Sequence, residues 1–171
     1  DQEFNSDIGV SSIAETGDTV FISSNNGEIL CFDRDRDVIF RKENYLRKNQ
    51  LTHDQDCKMR VDRQGNVWVI TTPTTYLWKP KENQWIHTVQ SALHSLGIDN
   101  VPEEMAVWDV LADDKQRLWI ATDHGGLFVA DLTGHELRQF TTSKYDDTTV
   151  SDNTLRMVYM DNDSRIWIGS Y

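Results

Sequence analysis

The sequence predicts an all-β fold, a β-propeller fragment of about three and a half four-stranded antiparallel blades, on three observations. First, a short apolar run with a central aromatic residue recurs four times: Val20-Phe21-Ile22, Val67-Trp68-Val69, Leu118-Trp119-Ile120 and Ile166-Trp167-Ile168. The aromatic residues stand 47, 51 and 48 residues apart, an interval that suits one blade. Second, a polar turn precedes three of the runs: Asp62-Arg63-Gln64-Gly65-Asn66, Asp113-Asp114-Lys115-Gln116-Arg117 and Asp161-Asn162-Asp163-Ser164-Arg165. Third, runs such as Val67-Trp68-Val69-Ile70 do not alternate between apolar and polar residues, so both faces of the sheet must be covered. Blades packed between neighbouring blades meet that requirement without helices.

Each element follows from the repeat. The first unit has Thr16-Gly17-Asp18 as its hairpin turn, then the strand around Phe21, the turn Asn25-Asn26-Gly27, a strand over Glu28 to Phe32 and a closing strand over Val38 to Arg41. In the second, an upstream strand over Lys58 to Val61 leads to Trp68, the turn at Pro73-Thr74-Thr75 replaces a glycine pair, and Gln84 to Val89 closes the unit. The third is the clearest, with strands over Val107 to Ala112, around Trp119, over Leu127 to Asp131 after His124-Gly125-Gly126, and over Leu137 to Thr142. The fourth has a strand over Arg156 to Met160 and the run around Trp167, and then the chain stops inside the pattern. The repeats span about 13–50, 57–105, 106–154 and 155–171, and the whole chain reads as one partial propeller cut from a longer protein. Only Ser91 to Leu96, before Gly97 in the longest connection, reads as helical.

With 171 residues, 38% of them hydrophobic and 10% aromatic, the chain belongs to the globular class. Its formal net charge of −11 offers no counterion-release basis for nucleic-acid binding, and none is expected. No apolar run reaches the length of a membrane helix, and Asp1 to Asp7 lacks the basic and apolar regions of a signal peptide, so neither membrane contact nor a targeting segment is expected within it. Cys31 and Cys57 are too few for a disulfide framework or a zinc site; two buried thiols or a single bridge both remain open.

Catalytic motifs are missing: there is no G-x-S-x-G, no G-x-x-x-x-G-K and no H-E-x-x-H. Ser151-Asp152-Asn153 mimics one β-lactamase element without its companions and reads as a connector. Asp161-Asn162-Asp163 starts like a calcium loop but has neither the glycine nor the glutamate that such a loop requires, so it reads as a turn. The sequon Asn162-Asp163-Ser164 falls inside the same hairpin. No catalytic residue, metal site or cofactor is expected. Phe21, Trp68, Trp119 and Trp167 read as core because they hold equivalent positions, whereas Trp78, Trp85 and Trp108 fall outside that register.

The run Asp113 to Leu127, with its aspartate, polar turn, Leu-Trp-Ile-Ala-Thr and glycine pair, resembles the two-component regulator propeller repeat. Val150-Ser151-Asp152-Asn153-Thr154-Leu155 resembles that family's connector between blades. The resemblance implies a parent with seven-bladed propellers, the periplasmic sensor domain of a hybrid two-component system histidine kinase in polysaccharide-degrading gut bacteria. It also implies an oligosaccharide ligand, with signalling to a kinase outside this chain.

Three functions are therefore weighed: a glycan-sensing binding module, a sialidase-like propeller glycosidase and a protein-interaction scaffold. The first leads. The turns between second and third strands share one end of the fold with the connections between blades, and that end carries the least repetitive chemistry. The candidate ligand residues there are Tyr76, Trp108, Asp123, His124 and Tyr145, aromatic rings to stack on a sugar and polar groups to meet hydroxyls. The net charge favours a neutral glycan. Uncovered blade edges predict self-association, as in a homodimer of the parent sensor.

Overall fold

A computed structural model describes residues 9–50, 57–72, 74–146 and 148–170. Asp1 to Asp7, Pro73 of the second-unit turn and Tyr171 of the final run lie outside the described residues. The described chain forms three four-stranded antiparallel meanders and one two-stranded pair. The first blade comprises β1 (Val10–Thr16), β2 (Thr19–Ser24), β3 (Glu28–Asp33) and β4 (Val38–Asn44). The second comprises β5 (Lys58–Val61), β6 (Val67–Ile70), β7 (Thr75–Lys79) and β8 (Gln84–His87), and the third β9 (Val107–Ala112), β10 (Arg117–Thr122), β11 (Leu127–Asp131) and β12 (Glu136–Phe140). The last pair is β13 (Leu155–Met160) and β14 (Ile166–Ser170).

Three hydrophobic layers hold the blades face to face. Phe21, Ile29 and Cys31 of the first blade meet Met59, Val67, Val69, Tyr76 and Trp78 of the second. Trp68, Ile70 and Leu77 on the other face of the second blade meet Val110, Leu118, Ile120 and Phe128 of the third. Ala121, Leu127 and Val129 of the third meet Leu155 and Val158 of the last pair. A strand buried on both faces is what the continuous apolar runs demand. The innermost strands β1, β5, β9 and β13 adjoin in sequence around the inner edge.

The recurring aspartate explains the turns. Asp62, Asp113 and Asp161 each accept, through Oδ1, the backbone N–H groups two and four residues ahead. The turn needs one residue at positive φ: Gly65 at 84°, Gln116 at 58° and Ser164 at 59°. In the third and fourth repeats Oδ2 takes the indole N–H of the repeat tryptophan, Trp119 at 2.9 Å and Trp167 at 2.8 Å. In the second, Asn66 Nδ2 occupies Asp62 Oδ2 at 2.8 Å, and Trp68 Nε1 is buried without an acceptor.

The structure departs from the sequence reading in three places. A one-turn helix, α1 (Tyr45–Lys48), lies outside that reading; it shows no periodicity, and its signal is the cap Asn44, which accepts the Arg47 N–H. Helix α2 spans Val89–Ser95 rather than Ser91 to Leu96, because Thr88, at φ 69°, ends β8 at His87 and caps the helix by accepting the Ser91 N–H. The repeat aromatics are not all core: Phe21 and Trp68 are buried, Trp119 is half-buried and Trp167 is 55% exposed. Each of these rings faces the following blade, and among the described residues the cover diminishes from a full blade to a strand pair to nothing. Both cysteines are buried free thiols. Cys57 donates to Ser23 Oγ at 3.3 Å, and burial pushes the Cys31 thiol up to about 11, with Arg41 lowering it and Glu43 raising it.

Candidate functional site

The innermost strands share a defect. In β1, β9 and β13 the pairing with the second strand slips by one residue, leaving Ser11, Trp108 and Arg156 as the extra residues of β-bulges at one repeat position. A bulge re-aims its side chain, here at the inner end of the blades where the connections arrive. The three positions carry a hydroxyl, an indole and a guanidinium, in contrast to the uniform turns at the opposite end.

Around these bulges lies a charged network. Asp109 is fully buried and faces the Arg60 guanidinium twice, at 3.0 Å from Nε to Oδ1 and 3.0 Å from Nη2 to Oδ2. Lys58 Nζ stands 3.3 Å from Asp109 Oδ2 and also donates to the carbonyls of Trp108 at 3.2 Å and Arg156 at 3.5 Å. The Arg156 guanidinium lies 3.5 Å over the Trp108 ring, a cation–π contact that covers one face of the indole. Trp108 Nε1 is buried with no hydrogen-bond partner.

The turn from Asp123 to Gly126 adjoins this network. Thr122 pairs with Val107, and the Asp123 N–H donates to Ala106 O at 2.9 Å, fixing the turn beside the start of β9. Asp123 Oδ1 lies 2.9 Å from His124 Nδ1, and His124, at φ 65°, holds its side chain 85% exposed. Thr122 clamps the turn by donating Oγ1–H to Gly126 O at 2.7 Å, as Thr71 does to Thr74 O and Ser24 to Glu28 O. Gly126 sits at φ 73°, and a Cβ there would stand 2.2 Å from Phe140 O, so the glycine pair serves the fold. The connector residue Asn153 pins the same turn, accepting the Gly126 N–H through its carbonyl and the Thr142 N–H through Oδ1.

Of the five candidate residues, Trp108, Asp123 and His124 lie at the same end of the third blade, Trp108 as the bulge residue next to Val107 and Asp123 directly after Thr122, which pairs with Val107. Tyr145 is 98% exposed on the β12–β13 connection, beyond the outermost strand. Tyr76 is 3% exposed inside the layer between the first and second blades, in edge contact with His87, and burial raises its pKa. It lies on β7, whose side chains pack between blades, and that position makes it core. Sequence reasoning missed Lys58, Arg60, Asp109 and Arg156. Their signal was the odd placement of charged residues at the start of otherwise apolar inner strands. Among the described residues no cluster of three or more His, Cys, Asp or Glu side chains forms a metal site, and no helix is long and apolar enough to cross a membrane.

No protein-family model matches the chain, and no curated protein matches it. Solved structures do. The chain is similar to the extracellular domain of BT3049 from B. thetaiotaomicron, assigned as a hybrid two component system, at TM-score 0.56 and 16% identity over 90% of this chain and 18% of that one. The extracellular domain of BT4673 from B. thetaiotaomicron, assigned as a one component system in one structure and a hybrid two component system in another, matches at TM-score 0.51 and 15% identity over 94% of this chain and 26% of that one. The Cps50 (Swd1) β-propeller domain of Myceliophteria thermophila matches at TM-score 0.61 and 9% identity over 95% of this chain and 49% of that one. The chain thus spans only about a fifth to a quarter of the two bacterial domains. At these identities the likeness is one of fold, and the fold is that of consecutive β-propeller blades.

Proposed function

We propose that this chain is part of an extracytoplasmic, periplasmic sensor propeller that binds an oligosaccharide at the inner mouth formed by Trp108, Asp123 and His124, and that passes the signal to a kinase outside this chain. The observation that carries the reading is the bulge position of the innermost strands. Ser11, Trp108 and Arg156 hold one repeat position yet carry a hydroxyl, an indole and a guanidinium, at the ends of the inner strands where the connections arrive. Side chains that vary on an invariant scaffold are where a propeller gains specificity. The likeness to two bacterial extracellular domains assigned to signalling systems supports the same direction.

Calorimetry with a panel of oligosaccharides tests it, comparing the unaltered protein with His124→Ala and Trp108→Ala. A loss of affinity of about tenfold in either variant is expected. Unchanged affinity in both would place the ligand elsewhere, and turnover of any saccharide would favour the glycosidase instead.

A second reading, self-association, rests on the two uncovered blade faces. Val10 and Ile13 on β1 are 65% and 60% exposed, and Tyr159 and Trp167 on the last pair are each 55% exposed. Repeat equivalence makes these faces the two halves of an inter-blade layer, so one copy can stack on another. Light scattering at high concentration is expected to show species above the monomer; a strict monomer would count against it.

A further inference from the structure

We infer that the inner mouth takes an anionic group, so that the ligand is an acidic saccharide bearing a carboxylate or sulfate and not a neutral one. The inference rests on the saccharide-binding reading above and specifies its chemistry.

The chain as a whole is strongly acidic, with a formal net charge of −11, and taken alone that charge favours a neutral sugar. Salt screens charges beyond roughly 8 Å at physiological ionic strength, so a bound group responds to its immediate surroundings. Those surroundings are cationic. Lys58 and Arg60 of β5 converge on one buried carboxylate, Asp109, and Arg156 of β13 stacks on the neighbouring Trp108 ring, which leaves an excess of positive charge along the inner strands. Asp123, on the adjoining turn, is engaged by His124.

Donor capacity singles out one residue. Lys58 directs its ammonium at three acceptors: Asp109, Trp108 O and Arg156 O. Arg60 uses Nε and Nη2 on Asp109 and Nη1 on Met59 O, three of the five N–H groups a guanidinium carries. Its side chain is 34% exposed, whereas Asp109 beneath it is fully buried. A guanidinium gripped by a buried carboxylate while a third of its side chain stays exposed is preorganised for a carboxylate or sulfate. Arg156 adds a further positive charge, stacked on the ring of Trp108, whose carbonyl Lys58 meets.

Titration calorimetry with three probes of equal length tests the inference: an oligogalacturonide for the carboxylate, a sulfated galacto-oligosaccharide for the sulfate and an uncharged galacto-oligosaccharide. At least one acidic probe is expected to bind about tenfold tighter than the neutral one, and its affinity should fall as salt rises. Arg60→Gln should bring it down to the neutral probe's level. Since Arg60 also pairs with Asp109, a thermal melt accompanies that variant. If its cooperative transition is lost, Arg156→Gln replaces it, with a loss of several-fold for the acidic probe expected. A neutral probe that binds as tightly as both acidic ones overturns the acidic class and leaves the saccharide-binding reading standing. No binding by any probe overturns that reading and the inference with it.

Discussion

Asp109 Oδ2 accepts the backbone N–H of Val158 at 3.3 Å, joining the third blade to the strand pair that follows it. The first and second blades repeat the device at the same position, where Ser12 Oγ accepts the Met59 N–H at 2.9 Å. Between the second and third blades the equivalent residue is Lys58, which has no acceptor to offer. There the Val110 N–H bonds to Asp109 Oδ1 at 3.0 Å instead, and Lys58 turns its charge on Asp109. One carboxylate thereby secures two blade junctions.

Removing it should therefore cost more than removing a single acceptor. Asp109→Ala is expected to lower stability by about 3 kcal/mol, since it strands two backbone donors and uncompensates Arg60 and Lys58. Ser12→Ala, which strands one donor, should cost about 1 kcal/mol. Urea unfolding of both variants measures the difference, and equal losses would contradict the hub role.

The repeat aspartates predict an acid limb. Burial alone would raise the Asp113 pKa, but the hydrogen bonds from Trp119, from the Arg117 backbone and guanidinium and from the Lys115 N–H outweigh it and hold the carboxyl below its usual range. Folding thus favours the charged form. Its contribution is complete above the unfolded-chain value of about 4 and is lost as the pH falls from there through the depressed folded value. Asp113→Asn should flatten stability against pH below about 4, and Asp113→Ala should cost about 2 kcal/mol at neutral pH. Thermal melts between pH 2 and 7 provide the check.

Two glycines at positive φ separate conformational strain from collision. Gly65, at φ 84°, has open space where a methyl would be added, so Gly65→Ala should cost about 1–2 kcal/mol. At Gly126 an added methyl meets Phe140 O at 2.2 Å as well, and Gly126→Ala should exceed about 3 kcal/mol. Chemical denaturation ranks the pair.

Equivalent tryptophans should differ in cost according to their cover. Trp68→Ala, in a fully buried site, is expected to lose about 3–5 kcal/mol. Trp167→Ala, at 55% exposure, should lose under about 2 kcal/mol in this chain. Equal losses would show that Trp167 is packed in solution, as stacking of copies requires.

The blades were legible because the units share the same physics: an aspartate organises the first turn in the second to fourth, an aromatic holds the centre of the second strand in all four, and a hydroxyl clamps the second turn in the first three. Elements outside the repeat were less so. Thr88 stops β8 through a positive φ that no side-chain preference announces, and α1 is too short to show a period. The candidate site was only partly legible for the same reason. His124 and Trp108 stood out as residue types, but Arg60 and Asp109 lie 49 residues apart in sequence and meet only because adjacent inner strands align. Tyr76 misled because a strand buried on both faces accepts a tyrosine as core.

Hydrogen exchange with and without a binding oligosaccharide tests the central claim most directly. Slowed exchange is expected in residues 57–60, 106–109, 122–126 and 155–157, which flank the proposed inner mouth, with the aspartate turns at 62–66, 113–117 and 161–165 unchanged. Protection confined to those turns, or to the β12–β13 connection around Tyr145, would contradict it.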